Sequence, residues 1–386
     1  MKLLISAVEP SGDSLGANLI RALRRREPNL QIIGCGGPKL AAHGLKSIFD
    51  TAQLSVIGPL SVLKAIPAAS RAADLLLQSA CDEQPDLAVF IDSWMFSKLT
   101  AQRMQKAAPA IKRIKYVAPQ VWASRPGRAQ KLANLFDGLL CLFEFETSYF
   151  EPLGIPVQAV GHSEFQHARS NKGNAARFRK NYGDHDGPLI AVLPGSRKSE
   201  LRQHIEPFGK ILGMIKQHQP RLSVVLPAAQ SVTELIPKLI HDWPAPVRII
   251  QSADKYDAFA AADVALAVSG TVTTELAIHG TPMVICYKLD PIAGIWVDLF
   301  VTTPYASLIN ITAQEMVIPE FVQRRFSVPD VTESLLNLLQ SDDARRFQKH
   351  RFPALIDSLA GDGQPAEDVA ANTIIDWVKR KSIENS

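Results

Sequence analysis

A nearly continuous apolar run, Leu3 to Val8, is broken only by Ser6 and ended by Glu9-Pro10-Ser11-Gly12-Asp13. Such a run followed by turn residues predicts a strand buried on both faces. Leu15 to Arg26 then repeats apolar positions at helical spacing. Further short runs stand at Gln31 to Cys35, Leu87 to Ile91, Ile114 to Val117 and Gly138 to Leu142, most of them flanked by helix-like stretches. The alternation predicts an α/β fold, a parallel sheet with helices on both faces in the doubly wound arrangement.

Between Gln166 and Pro188 the pattern lapses into a polar, basic stretch with three glycines. Apolar strands resume at Leu189 to Leu193 and recur at Ser223 to Leu226, Val247 to Ile250, Val264 to Val268 and Pro282 to Cys286. The expected organisation is two Rossmann-like, doubly wound domains, residues 1–168 and 169–350, with C-terminal helices over 351–386 for which a return to the first domain is one option. Sheets of this kind bind ligands at the carboxyl ends of their strands, so the expected site is a cleft that the two domains face.

Composition narrows the function classes. Lys plus Arg total 42 against 38 Asp plus Glu, a net charge of +4, which gives little electrostatic reason to expect a nucleic-acid partner. With 46% hydrophobic residues the chain has enough apolar surface for a globular core, which excludes disorder. The four cysteines, Cys35, Cys81, Cys141 and Cys286, lack zinc-ligand spacing and suggest a reducing compartment. The acidic Glu9 to Asp13 segment follows Leu3 to Val8 too soon for a signal peptide. The best membrane-span candidate, Ile292 to Thr303, is short and interrupted by Asp298, so any membrane contact is expected to be peripheral.

Two turns of the second domain have the chemistry of anion sites. Leu193-Pro194-Gly195-Ser196-Arg197-Lys198-Ser199-Glu200 ends a predicted strand and opens a predicted helix. Small residues there let backbone N–H groups approach a phosphate, and Arg197 adds a bidentate donor; an ordinary turn with a solvated arginine is the alternative. Ser269-Gly270-Thr271 repeats the arrangement before a helix carrying Glu275. Thr271 can cap that helix, while Glu275 can accept from ribose hydroxyls or simply compensate the helix dipole. In the first domain, Glu9 and Asp92 emerge from the ends of apolar strands, with Gly12 allowing a close approach. A carboxylate so placed is a candidate general base, and helix capping is the alternative for Asp92. Leu54 to Leu77, rich in apolar residues with Lys64 and Arg71 as its only charges before Asp74, reads as a core helix or as a surface that dips into an anionic bilayer.

The segments AVEPSGD (7–13), GGPKL (36–40), FID (90–92), YVAPQVWA (116–123), VGH (160–162), LPGSRKSE (193–200), SGTVTTE (269–275) and YASLIN (305–310) together resemble lipid-A-disaccharide synthases, in order and spacing, over roughly residues 2–380. The resemblance implies a GT-B glycosyltransferase that transfers diacylglucosamine from UDP-diacylglucosamine to diacylglucosamine 1-phosphate, with inversion and without a metal or other cofactor. It also implies a peripheral enzyme on the cytoplasmic face of the inner membrane; a homodimer is left open. Glu9 and Asp92 match acidic positions important for activity in the family, and Arg197 matches the arginine of its PGSR motif. Glu275 and Asn310 match polar positions of the nucleotide-sugar site. Gly195, Ser196, Ser269, Gly270 and Thr271 fall in the phosphate-facing turns, and Glu320 and Gln323 look like the family's later PE-x-x-Q segment.

The chain departs from the family pattern at Ser93-Trp94-Met95 after Asp92, at Ser124 after VWA, at Ser163-Glu164-Phe165 after VGH and at Ile309 before Asn310. Two alternatives accompany the transferase reading. One is a UDP-N-acetylglucosamine 2-epimerase-like enzyme, which has no need of the apolar stretch 54–77. The other is a catalytically inactive nucleotide-sugar or lipid-binding protein, against which Glu9, Asp92 and Arg197 together argue.

Overall fold

The computed structural model describes residues 1–54, 59–182, 187–229, 231–289, 301, 303–361 and 363–384. Two compact units divide the chain. Met1–Ser163 together with Gly361–Ser386 makes the first, and Glu164–Ala360 the second.

In the first unit the strands are β1 (Lys2–Ala7), β2 (Gln31–Cys35), β3 (Leu87–Ile91), β4 (Lys112–Tyr116), β5 (Gly138–Cys141) and β6 (Val157–Ala159). They form one sheet in the order β2-β1-β3-β4-β5-β6, every pair parallel. The chain reverses its direction of winding between β1 and β3, so the loops after these two strands leave the sheet side by side, Ala7 being in register with Ile91. Helix α1 (Pro10–Arg24) starts earlier than the apolar spacing alone indicates, because Pro10 at its first position is preset for a helical φ. Leu19, Ile20 and Leu23 of α1 share a core with Ala370, Ala371 and Ile374 of the helix Ala366–Glu384. That helix completes the first unit, and the indole of Trp377 lies so close to Gly138 that a Cβ there would be 2.7 Å from it.

The second unit is built on β7 (Leu189–Leu193), β8 (Ser223–Ala228), β9 (Val247–Gln251), β10 (Val264–Val268), β11 (Met283–Tyr287) and β12 (Glu320–Val322). Its order, β12-β11-β10-β7-β8-β9, again all parallel, is that of a dinucleotide-binding sheet, with the reversal between β7 and β10. The polar stretch 166–188 is not a bare linker. It includes most of the helix Ser163–Ser170 and all of Ala175–Tyr182, and Asp257 accepts from Asn174 N and pairs with Arg177 at 2.5 Å. The division thus falls five residues before position 169, and the helix Asp342–Ala360 belongs to the second unit.

Helix α3 (Pro59–Glu83) covers much of the apolar stretch 54–77. Its Ala72, Ala73 and Leu76 are core, and Ile66 is 55% exposed. Val56 and Ile57 lie outside the described residues, as do the side chains of Leu60, Val62 and Leu63. Most of Ile292 to Thr303 is likewise outside them. Among the described residues no helix is long and apolar enough to cross a membrane.

Candidate active site

The reversal point of the first sheet gathers acids. Glu9 takes the N-cap position of α1 in an extended conformation, and Asp92 follows β3 directly. Asp92 has φ 54° and Ser93 φ 34°, two consecutive non-glycine residues in the left-handed region. The Asp92 carboxylate accepts from Ser11 Oγ at 2.6 Å and from Ser93 N at 3.0 Å, while the hydroxyl of Ser97, on α4 (Trp94–Ala107), donates to Asp92 O at 3.0 Å. Burial, and after it the neighbouring Asp92 charge, hold the Glu9 carboxyl above its ordinary value. Asp92 is therefore no helix cap: α4 has no side-chain cap at all, and the carboxylate turns to α1.

Beneath the two acids lies a residue that sequence reasoning missed. Lys115, on β4, is 1% exposed. Its ammonium donates to Phe90 O at 3.2 Å, to Tyr116 O at 3.1 Å and to Asp92 O. Desolvation lowers its pKa to about 7, against the opposing pull of Asp92 and Glu9. The only sequence signal was a lysine inside the predicted strand Ile114 to Val117.

Neighbouring motif residues have structural work. A Cβ on Gly12 would stand 3.3 Å from Ile91 O and 3.5 Å from Asp92 Cβ, so this glycine lets α1 pack on the end of β3. Asp13 caps not its own helix but α2 (Pro38–Ala42), accepting from Gly37 N, Lys39 N and Leu40 N at 2.8 to 3.0 Å. Trp122 Nε1 donates to the buried Glu146 at 3.2 Å, and His162 stacks on Phe143. Burial pushes the Glu146 carboxyl up to about 7, against the bonds it accepts from Phe143 N, Trp122 Nε1 and Leu142 N.

The reversal point of the second sheet gathers donors. After β7, Gly195 takes φ 119°, and the helix Lys198–His218 follows. The amides of Ser196 and Arg197 do not stand open, because Glu200 Oε2 accepts from them at 2.9 and 3.2 Å and Arg197 Nη1 donates to Glu200 Oε1 at 3.2 Å. An anion of the protein's own thus sits on the donors expected for a phosphate. One turn on, His204 is fully buried; its Nε2 accepts from Lys288 N at 2.9 Å, so its Nδ1 carries the proton donated to Glu200 O. After β10, Gly270 is the N-cap of the helix Thr271–Ile278 with no side-chain cap, contrary to the capping role read for Thr271. Gly270 and Thr271 are exposed, and Ser269 Oγ donates to Ala306 O at 2.7 Å.

Three expected ligand contacts are spent inside the protein. Glu275 is buried and accepts from Lys255 Nζ at 2.7 and 2.9 Å and from Tyr256 Oη at 3.2 Å, so neither a ribose partner nor dipole compensation alone describes it. Asn310 accepts from Val317 N and Ile318 N and donates to Ile318 O. Glu320 accepts from Ala306 N at 2.7 Å and Ser307 N at 2.8 Å. Both knit the segments 305–310 and 317–322 together and so shape the neighbourhood of Ser269. Gln323 differs: it has φ 53°, and its enclosed Nε2 has no hydrogen-bond partner among the described residues.

Comparison with known proteins bears on fold and family. The chain resembles in fold the Staphylococcus aureus MnaA–UDP co-structure (TM-score 0.63, 14% identity, 98% of this chain and 96% of that one). The UDP-GlcNAc 2-epimerase of Neisseria meningitidis bound to UDP-GlcNAc (TM-score 0.63, 14% identity, 97% and 100%) and MurG of Acinetobacter baumannii (0.56, 14%, 98% and 99%) share the GT-B type fold. At such identities the likeness is one of fold alone, and it lends the epimerase alternative no support. The lipid-A-disaccharide synthases of Rhodospirillum centenum (35% identity over 384 residues, 99% of this chain and 96% of that protein) and Paramagnetospirillum magneticum (35%, 98% and 98%) are similar from end to end. With the family model described as lipid-A-disaccharide synthetase matching residues 3–373 as well, the chain belongs to the lipid-A-disaccharide synthase family, glycosyltransferases of lipid A biosynthesis.

Proposed function

We propose that this glycosyltransferase joins UDP-2,3-diacylglucosamine to 2,3-diacylglucosamine 1-phosphate, giving lipid A disaccharide 1-phosphate and UDP with inversion at the anomeric carbon. The observation that carries the assignment of roles is the Asp92 carboxylate, fixed at the reversal point of the first sheet by Ser11 and Ser93 beside the raised carboxyl of Glu9. Asp92 takes the proton of the acceptor's 6-hydroxyl as that oxygen forms its bond to the anomeric carbon, and the bond from that carbon to the diphosphate oxygen breaks. Glu9 shares the site and keeps its field acidic. Arg197 and the amides of the 195–197 and 269–271 turns receive the charge that develops on UDP. For this Glu200 gives up the Ser196 and Arg197 donors to the diphosphate. Gln323, with its unpartnered amide nitrogen, supplies a further donor in the same unit.

Both substrates carry acyl chains, which favours work at the cytoplasmic face of the inner membrane. The exposed Ile66 on α3 supports a peripheral contact through residues 54–77. The test is UDP release by the purified chain from UDP-diacylglucosamine with and without diacylglucosamine 1-phosphate. Release that depends on acceptor is expected; acceptor-independent release, or none, overturns the assignment.

A further inference from the structure

We propose that Lys115 is a positioning residue for the transfer: from inside the first sheet it pins the left-handed Asp92–Ser93 turn through three carbonyl groups and sets a positive charge beside the Glu9 and Asp92 carboxylates. The proposal rests on the reading of Asp92 as the base. It concerns a side chain that touches no reacting atom.

Packing does not account for the lysine. β4 is an interior strand with β3 on one side and β5 on the other, and Lys115, in register with Phe90, is as buried as the leucines around it. A methionine would fill the same volume without desolvating a charge. What the lysine adds is three donors, and three acceptors meet them: Phe90 O, Asp92 O and Tyr116 O, all where β3 and β4 end. Consecutive left-handed conformations at Asp92 and Ser93 are unfavourable for L residues and persist only where the surroundings over-determine them. Here Asp92 N donates to Tyr116 O, while Ser97 Oγ and the Lys115 ammonium both hold Asp92 O. With its peptide held on both sides, Asp92 leaves the sheet at a fixed angle and meets Ser11 Oγ at 2.6 Å.

The charge has a direction as well. The groups acting on Lys115 are Asp92, from the end of β3, and Glu9, from the end of β1; α4 contributes the neutral Ser97. Reciprocally, the Lys115 charge lowers the pKa of Glu9, opposing the rise caused by burial and by Asp92. A cation under the two carboxylates thus favours the ionised form of Glu9, the neighbour that shares the site with the base.

The experiment compares Lys115→Met and Lys115→Gln with the parent chain and with Asp92→Asn, by UDP release from the two lipid substrates across pH, with circular dichroism to confirm folding. Lys115→Met should lower kcat by about 10- to 100-fold, the effect of a misaimed group, with KM for either substrate within about twofold. Lys115→Gln keeps donors for the carbonyls and should lose less. Both should move the acidic limb of the kcat profile upward by about one pH unit, since the cation favouring the ionised Glu9 carboxyl is gone. An unmoved limb in Lys115→Gln overturns the proposal, and so does a folded Lys115→Met with parental kcat. Should the methionine variant not fold, the glutamine variant decides. If Asp92→Asn is inactive while both lysine variants behave as the parent, only the role of Lys115 falls; if Asp92→Asn turns over normally, the base reading falls and the positioning role with it.

Discussion

The two sheets reverse their winding at equivalent places and equip them with opposite chemistry. In the first unit the loops after β1 and β3 present carboxylates, Glu9 and Asp92, and the counter-charge is Lys115, tied to backbone and sealed beneath them. In the second the loops after β7 and β10 present backbone amides and Arg197, and the counter-charge is Glu200, whose partner's side chain is 68% exposed. A counter-ion fixed in place suits a group that must hold its aim through every turnover. An exchangeable one suits donors that must accept and release an anion. Fold and position being alike, the difference lies in where the neutralising residue is rooted: in a strand for the acids, in the first turn of a helix for the donors.

The sharpest way to break the comparison is Asp92→Asn, which keeps the shape of the first site but cannot take a proton. Turnover should fall by roughly 10²-fold or more while UDP affinity stays the same; near-parental turnover would remove the acid–base half of the contrast. In the second site, Arg197→Ala deletes a charge-assisted contact and should weaken UDP binding or catalysis by about 1.5 to 3 kcal/mol, read by calorimetry and steady-state kinetics. Stability against pH then probes the fixed counter-ion. The folded chain holds the Lys115 proton with a pKa of about 7, below the ordinary 10.5, so between these values the unfolded chain binds more protons. This group's contribution to stability therefore rises with pH through that window, by at most about 1.4 kcal/mol per pH unit. Subtracting the urea stability of Lys115→Met from that of the parent should expose the rise, and a flat difference would mean that the ammonium is not desolvated. The smallest expected effect belongs to Glu200→Ala. Freeing the Ser196 and Arg197 amides should tighten UDP binding by about 3- to 10-fold, while loss of the cap costs about 1 kcal/mol of stability. Weaker UDP binding in that variant would mean that Glu200 does not compete with the diphosphate.

Much of this was legible from the order of residues. Leu87–Ile91, Leu189–Leu193 and Val264–Val268 are fully buried strands, and continuous apolar runs announce such strands. The edge strands Val157–Ala159 and Glu320–Val322, three residues each, are too short to leave a pattern. The turns after β7 and β10 were readable because glycine and small residues between a strand and a helix have few other uses. Lys115 was not, since a lysine in a strand ordinarily marks a solvated face, and only the covering of both faces of β4 makes it interior. Asn310 and Glu320 show a different limit. Residue type reveals that a side chain wants hydrogen bonds but not whether the backbone at 306–307 and 317–318 or a ligand will satisfy them.

The helix Ala366–Glu384 carries a consequence for the order in which the chain matures. The whole second unit is an insertion between the first sheet and the helix that shares a core with Leu19, Ile20 and Leu23. During synthesis the six strands of the first sheet leave the ribosome about 200 residues ahead of their last covering element, with an apolar strip bare meanwhile. A stop codon between residues 325 and 366 would spare every residue of both reversal points and still yield a chain with that strip uncovered, prone to aggregation before any sugar is transferred.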